Sequence, residues 1–449
     1  MTLPEPRLWP DTASVAASGR LTIGGCDTVE LARAYGTPLY LLDEATFRAS
    51  CRAYRAALAQ HYLGASAHYA SKALLNSTVV RLLAEEGLGL DVVSGGELYV
   101  ALRAGFPAER IHLHGNAKTR AELEQALMAG VGKIVVDTFD ELELLAQLTA
   151  GRAEPQAIML RLSPDIAADT HAHIQTGSAT SKFGLPLDAL DVAAARILDA
   201  PGLRLAGLHT HLGSQILDYS PIAQAIGVLL DCAARLRDEH GLTVAEISPG
   251  GGLGTPYTAD QPTPDIGAYI AAVAQAMRAG CAARRFAPLS LVVEPGRSIV
   301  GRAGVALYQI VATKPLPGDG RWVMADEEQS HRPSRYLHID GGMADNIRPA
   351  LYGARYTALL ADRAAEPATE LVHIAGRYCE SGDVLIRDIF LPQAALGEIL
   401  AVATAGAYTL SMANNYNLVP RPALLLVADG KARVIQRRET YADLVARDE

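Results

Sequence analysis

Eight short β-branched runs, each followed by a longer stretch rich in Ala, Leu and Glu, fill residues 45–294 and leave few folds open to this chain. The runs are ASAHYAS, LGLDVVS, RIHLHG, KIVVD, AIMLRLS, LAGLHTHLG, VAEISPGG and LSLVVEPG. Between several of them, TRAELEQALMAG, TFDELELLAQL and SPIAQAIGVLLDCAARLRDEHG place apolar residues at i, i+3, i+4 and i+7, the stripe of a helix that buries one face. Parallel strands need crossover connections of this kind, so the expectation is a TIM-like (β/α)8 barrel over 45–294.

A barrel of about 250 residues does not use up a chain of 449. After Glu294 the texture changes to SIVGRAGVALYQIVATKP, RWVMADE, YLHIDGG, LVHIAG, ILAVATAG and RPALLLVADGKARVIQRRE. Strand-length runs bounded by turn residues predict an antiparallel β domain over 295–449. The segment 1–44, with the strand-like LTIGGCDTVELARAYGTPLYLLDE, is expected to join that domain.

Charge and cysteine use exclude several classes. A formal net charge of −9 lacks the basic excess that nucleic acid or an anionic membrane surface requires. Five cysteines without a C-x-x-C pair suit neither a disulfide framework nor a zinc site. The N-terminal MTLPEPRLWPDTASV has no apolar secretory core, and no apolar run approaches the ~18 residues of a membrane span. These features predict a soluble cytoplasmic protein with reduced thiols.

In such a barrel the chemistry gathers at the C-terminal ends of the strands. Lys72 closes the first run, in HYASKALLN; His209, His211 and Ser214 follow the sixth; Gly250, Gly251, Gly252 and Gly254 follow the seventh; Glu294, Gly296 and Arg297 follow the eighth. Each alone has a plain structural explanation: an exposed lysine, a buried histidine, a glycine turn. Together they describe a pyridoxal-phosphate site, with a Schiff-base lysine, a glycine loop for the phosphate and a carboxylate facing the pyridine nitrogen. A carboxylate there keeps the ring protonated and strongly electron-withdrawing, which favours decarboxylation over racemisation. The HLH pair His112/His114 and the pair His171/His173 lack a Cys or carboxylate partner at ligand spacing, so no metal is expected.

The ordered set HYASKALLN, GLDVVSGGEL, HGNAKT, HIQTGSATSKFGL, HTHLGSQI, PGGGLGTPY, EPGRSIVG, DGGMADNIRPALYGARY, CESGDVL and GAYTLSMANNYN resembles the diaminopimelate decarboxylases, within the alanine-racemase-like, fold type III pyridoxal-phosphate enzymes. The resemblance runs from about residue 36 to the C-terminus. It implies an ornithine-decarboxylase-like architecture and conversion of meso-2,6-diaminopimelate to L-lysine and CO2, the last step of lysine biosynthesis. By the same resemblance Lys72 carries the cofactor, His211 stacks on its ring and Glu294 partners its nitrogen. Asp91, Ser214, Gly251, Gly252, Gly296, Arg297 and Tyr408 fall in the motifs around the cofactor. Arg297, Arg348, Tyr352, Glu380 and Tyr408 match substrate contacts. Cys379, the proton donor, and Glu380 match residues that complete the neighbour's site in a homodimer. Ile347 and the LSMANN stretch depart from the family pattern without removing a reacting group. A same-fold decarboxylase of ornithine, arginine or a carboxylated polyamine is the alternative reading, and a non-catalytic cofactor-binding homologue a further one.

Overall fold

A computed structural model describes residues 2–166, 181–316 and 333–449, and divides into two compact units. One comprises Ser50–Gly254 with Pro264–Ser298; the other comprises Met1–Ala49, Thr255–Thr263 and Ile299–Glu449.

The first unit holds the barrel. Its strands are Ser66–Ala70, Gly89–Val92, Ile111–Leu113, Lys133–Val136, Gln156–Ser163, Leu203–His209, Glu246–Ser248 and Ser290–Val293. They pair in parallel in chain order, and the last returns to the first through Val292↔Ser66 and Val293↔Ala67, closing the ring. All eight expected runs are barrel strands. A short strand, Leu185–Pro186, pairs outside the ring with Leu162 and Ser163.

Helix ends follow local chemistry. Arg120–Ala129 opens on a Thr119/Glu122 capping box and stops at Gly130, whose left-handed φ of 70° a side chain resists. Ser220–His240 ends in the same way at Gly241. The helix Ile266–Ala283 corrects the sequence reading of apolar runs, because its 18 residues reach a mean hydropathy of 1.2, enough by length and composition to cross a membrane. Its buried residues Tyr269, Ile270, Val273, Ala274, Met277 and Cys281 nevertheless form one stripe, and it packs on Ser220–His240 as an outer barrel helix.

The barrel floor is polar where barrels usually stack aliphatic layers. The His68 and His112 rings lie 4.0 Å apart, Lys133 Nζ donates to Glu246 Oε2 at 2.9 Å, and His112 Nε2 is 3.2 Å from the same Nζ. Gly89 makes room for this layer: a Cβ there would come within 2.5 Å of the His68 ring.

In the second unit the main sheet runs Val384–Leu391, Glu370–Ala375, Arg335–Ile339, Gly304–Pro315, Leu39–Asp43, Ala423–Ala428, Lys431–Gln436, with Ile399–Val402 and Ala358–Leu360 attached beside it. Leu39–Asp43 brings the N-terminal segment into this sheet. Most pairings are antiparallel, but Arg335–Ile339 with Glu370–Ala375, and Leu39–Asp43 with Ala423–Ala428, are parallel, so the sheet is mixed. Neither parallel pair is a hairpin; long connections allow either direction, which run-by-run reading of the sequence does not resolve. Ser298–Val300, read as the start of a strand, belongs to the short helix Arg297–Val300. The strand Val384–Leu391 was hidden by charged residues at its exposed positions. The RWVMADE run and the His171/His173 pair lie outside the described residues, as does part of the HIQTGSATSKFGL motif. The unit's core includes Leu8, Trp9, Leu21, Ile23, Leu39, Leu41, Val305, Leu307, Leu425 and Val427.

Candidate active site

Lys72 does not end a strand on the surface. The first barrel strand stops at Ala70, and a single turn, Ser71–Ala73, carries Lys72 half-buried before Asn76 caps the next helix through the Thr78 and Val79 amides. The Ala70 amide donates to Pro295 O at 3.0 Å, stitching this strand end to the end of the last one. Gly296 permits that approach, since a Cβ there would lie 3.1 Å from the Ala70 methyl.

The last strand delivers Glu294, 6% exposed, to the barrel interior. His209 Nε2 lies 3.1 Å from its Oε2 and the Ser248 hydroxyl donates to Oε1 at 2.8 Å. Burial opposes ionisation of Glu294, but His209 facing it, with the His209 and Ser248 hydrogen bonds, holds its carboxyl well below the usual range. Asp91, on the second strand, goes the other way. Burial pushes it well above the ordinary carboxylate value, Lys72 pulls it down less strongly, and the Glu294 charge adds to the rise. His114 Nε2 stands between the two carboxyls, 3.7 Å from Asp91 Oδ1 and 3.6 Å from Glu294 Oε1. Burial keeps the His114 ring neutral.

The glycine loop is built into the same strand ends. Gly250 N–H donates to Ser248 Oγ at 3.2 Å, and Gly251 N–H to His211 Nδ1 at 3.3 Å. His211 Nδ1 is therefore an acceptor and its proton sits on Nε2, in keeping with a ring that burial, and then the Lys72 charge, holds neutral. A Cβ on Gly251 would come within 1.9 Å of Glu294 O, and one on Gly252, where φ is +112°, within 2.6 Å of Gly213 O. The loop and HTHLGSQI are zipped together, Ile216 N–H to Gly252 O at 2.8 Å and Gly254 N–H to Ile216 O at 3.0 Å. Arg297 Nη2 donates to Ser214 Oγ at 3.1 Å.

The barrel unit thus gathers Lys72, Asp91, His211, Ser214, Gly251, Gly252, Glu294, Gly296 and Arg297 at its strand ends. Four more residues belong with them that sequence reasoning left without a role: His114, His209, Ser248 and Arg161. Arg161 is buried, 3.6 Å from Asp137, with its guanidinium 4.4 Å from the centre of the Phe183 ring. Its only sequence signal was its place near the end of the fifth run. His114 does have a carboxylate beside it, contrary to the reading of the HLH pair: His114, His209 and Glu294 each bring a ligand-type atom within 4.8 Å of the others. Spacing along the chain concealed this, because the three come from three different strands.

Arg348, Tyr352, Tyr408, Cys379 and Glu380 belong to the β unit. The buried Arg348 guanidinium lies 4.3 Å from the centre of the Tyr257 ring and 5.4 Å from that of Tyr356, and Nη1 donates to the Tyr356 hydroxyl at 2.5 Å. Tyr257 and Tyr356, which sequence reasoning also passed over, thus form an aromatic cage around the cation. Tyr352 closes the same short helix, Arg348–Tyr352, and Tyr408 is held at a φ of 58°. Cys379 and Glu380 are exposed on a loop tied down from behind: Asp383 accepts from the Met343 amide at 2.7 Å and the Tyr378 amide at 2.8 Å, and Cys379 N–H donates to Asn417 Oδ1 at 3.0 Å.

The barrel constellation fits pyridoxal phosphate on its own geometry. It offers an amine at a strand end, a buried carboxylate hydrogen-bonded at both oxygens, an imidazole whose Nδ1 accepts from the loop and a loop whose glycines leave no room for side chains. Residues 44–301 match the family model described as pyridoxal-dependent decarboxylase, pyridoxal binding domain. The chain is 42% identical to the diaminopimelate decarboxylase of Bacillus subtilis, over 96% of this chain and 95% of that one. It is 40% identical to that of Mycobacterium tuberculosis, over 98% and 97%. Among solved structures, diaminopimelate decarboxylase from M. jannaschii in complex with L-lysine superposes with a TM-score of 0.87 at 34% identity, covering 98% of each chain.

Proposed function

This chain belongs to the diaminopimelate decarboxylases, pyridoxal-phosphate-dependent amino-acid decarboxylases, and from that premise we propose that it converts meso-2,6-diaminopimelate to L-lysine and CO2 with the residues gathered above. Bound pyridoxal phosphate supplies the electron sink for the pair released when the carboxylate leaves. Lys72 would anchor the cofactor through its amine. Gly251, Gly252 and Ser214 hold the phosphate, the loop amides acting as fixed dipoles. His211 covers one face of the ring, and Asp91 lies in the cofactor's surround with Gly296.

Glu294 accepts the hydrogen bond of the protonated ring nitrogen. Its place inside a buried site, with His209 and Ser248 hydrogen-bonded to its two carboxyl oxygens, is the observation that carries this reading. A neutral acid there would leave the ring a weaker sink.

Substrate choice falls to Arg297, Arg348, Tyr352, Tyr408 and Glu380. A guanidinium suits the distal carboxylate of diaminopimelate and Glu380 its ammonium. L-Ornithine lacks that carboxylate and would leave a buried cation unmatched, a cost that supports discrimination of roughly 10⁴ in kcat/KM. Cys379 delivers the proton to Cα, from the partner subunit of a homodimer working in the cytoplasm.

The test is CO2 release by purified protein with added pyridoxal phosphate and, separately, meso-diaminopimelate, L-ornithine and L-arginine. Diaminopimelate should be consumed, and Lys72→Ala should abolish both turnover and the borohydride-reducible link to the cofactor. Equal rates on ornithine or arginine would overturn the substrate; a reducible link surviving in Lys72→Ala would overturn the role of that lysine.

A further inference from the structure

Glu294 leaves its strand on a side chain with three rotatable bonds, yet its carboxylate is bound at both oxygens from two other strands, the adjacent one and the next beyond it. His209, the last residue of Leu203–His209, reaches Oε2 at 3.1 Å; Ser248, the last residue of Glu246–Ser248, reaches Oε1 at 2.8 Å. Ser248 also accepts from the Gly250 amide, and the Glu294 amide donates to Gly250 O at 3.0 Å, so the carboxylate and the glycine loop share one hydrogen-bond circuit. The His209 ring is itself held, edge-on to His114 with centroids 4.9 Å apart. Both residues are almost completely buried, which excludes solvent as a competing donor.

We propose that His209 is a positioning residue: with Ser248 it fixes the rotamer of Glu294 and aims the carboxylate at the cofactor's ring nitrogen. The proposal rests on the assignment of Glu294 to that nitrogen. His209 touches neither substrate nor reacting carbon; it acts by making the acceptor rigid before the cofactor arrives, so that no reorganisation is needed on binding. A residue that only filled space at this position would tolerate an isosteric apolar side chain.

The experiment uses holoenzyme loaded with pyridoxal phosphate labelled with ¹⁵N in its ring. The ¹⁵N chemical shift reports whether the ring nitrogen carries a proton, and equilibrium dialysis gives cofactor affinity. In His209→Leu the signal should move toward the unprotonated position and affinity should fall roughly 10- to 100-fold, the weight of one hydrogen bond to a charged group. His209→Gln, which can place an N–H near the lost Nε2, should recover much of both. Ser248→Ala should shift the signal in the same direction by less, and serves if the histidine variants fail to fold. An unchanged ¹⁵N shift in His209→Leu, while Glu294→Gln moves it, overturns the proposal and leaves the Glu294 assignment standing. An unchanged shift in Glu294→Gln overturns that assignment, and the proposal with it.

Discussion

At the scale of single residues, the site is defined as much by missing atoms as by present ones. Gly251 has no space for a methyl, since Glu294 O would lie 1.9 Å from it, whereas Gly227, inside the helix Ser220–His240, meets nothing within 4 Å. Gly251→Ala should destabilise the protein by about 1–3 kcal/mol through overpacking and weaken cofactor retention. Gly227→Ala should stabilise it by about 0.5–1 kcal/mol through lost chain entropy. Urea midpoints of the two variants check the contrast, and equal shifts would remove the steric argument. Buried histidines carry a second consequence. Burial, then the Lys133 charge, pushes His68 down from 6.5 to about 4, so the folded state binds fewer protons than the unfolded chain between those values. The stability from this neutral ring is complete above pH 6.5 and is lost as pH falls toward 4, a span of about 3 kcal/mol. His112, His114 and His211 shift in the same direction. In denaturant titrations over pH 4–6.5, His68→Asn should show a shallower acid loss than the parent by about one proton; parallel curves would mean that His68 stays charged when folded.

Among the elements, the barrel strands and the helices between them were legible because each declares itself locally. Eight runs of β-branched residues became eight barrel strands, and the capping pair Thr119/Glu122 starts its helix where the sequence pattern has it. The loop bearing Cys379 is different, because its shape depends on one carboxylate reaching two amides. A Cβ on Gly376 or Gly342 would lie 2.1 or 2.4 Å from the Asp383 carboxylate, so both glycines are shaped around it. Asp383→Asn replaces one acceptor with a donor facing a buried N–H and should cost about 1–3 kcal/mol. Hydrogen exchange at the Tyr378 and Met343 amides should quicken together in that variant. Exchange unchanged at both would show that Asp383 is not what holds the loop.

For the whole molecule, the proposal that Cys379 completes the site of a partner in a homodimer predicts complementation. Lys72→Ala and Cys379→Ala chains are each expected to be inactive alone. Mixed at equal amounts with free exchange, half the dimers are hybrids with one intact site of two, so about a quarter of parental activity should return. No return of activity, with hybrid dimers demonstrated by native mass spectrometry, would place Cys379 in its own chain's site or in none. The barrel floor of His68, His112, Lys133 and Glu246 belongs to this scale too: four polar residues from four strands meet where the sequence offered only separate polar positions in apolar runs.

Fold class and family were determined by sequence, which also nominates Lys72, Glu294 and Cys379 as the proposed reacting groups, because periodicity and motif spacing are properties of neighbours along the chain. Periodicity tells which face of a strand looks inward; it does not tell which residue of another strand it will meet. Tertiary structure alone decided that His209 and Ser248 grip Glu294, that His114 stands between Glu294 and Asp91, and that Tyr257 and Tyr356 cage Arg348. It likewise decided that the β unit's sheet is mixed. The barrel contacts are set by strand order and register, which are fixed only when the first strand finds the last, and those of the β unit by long connections that local pattern does not reveal.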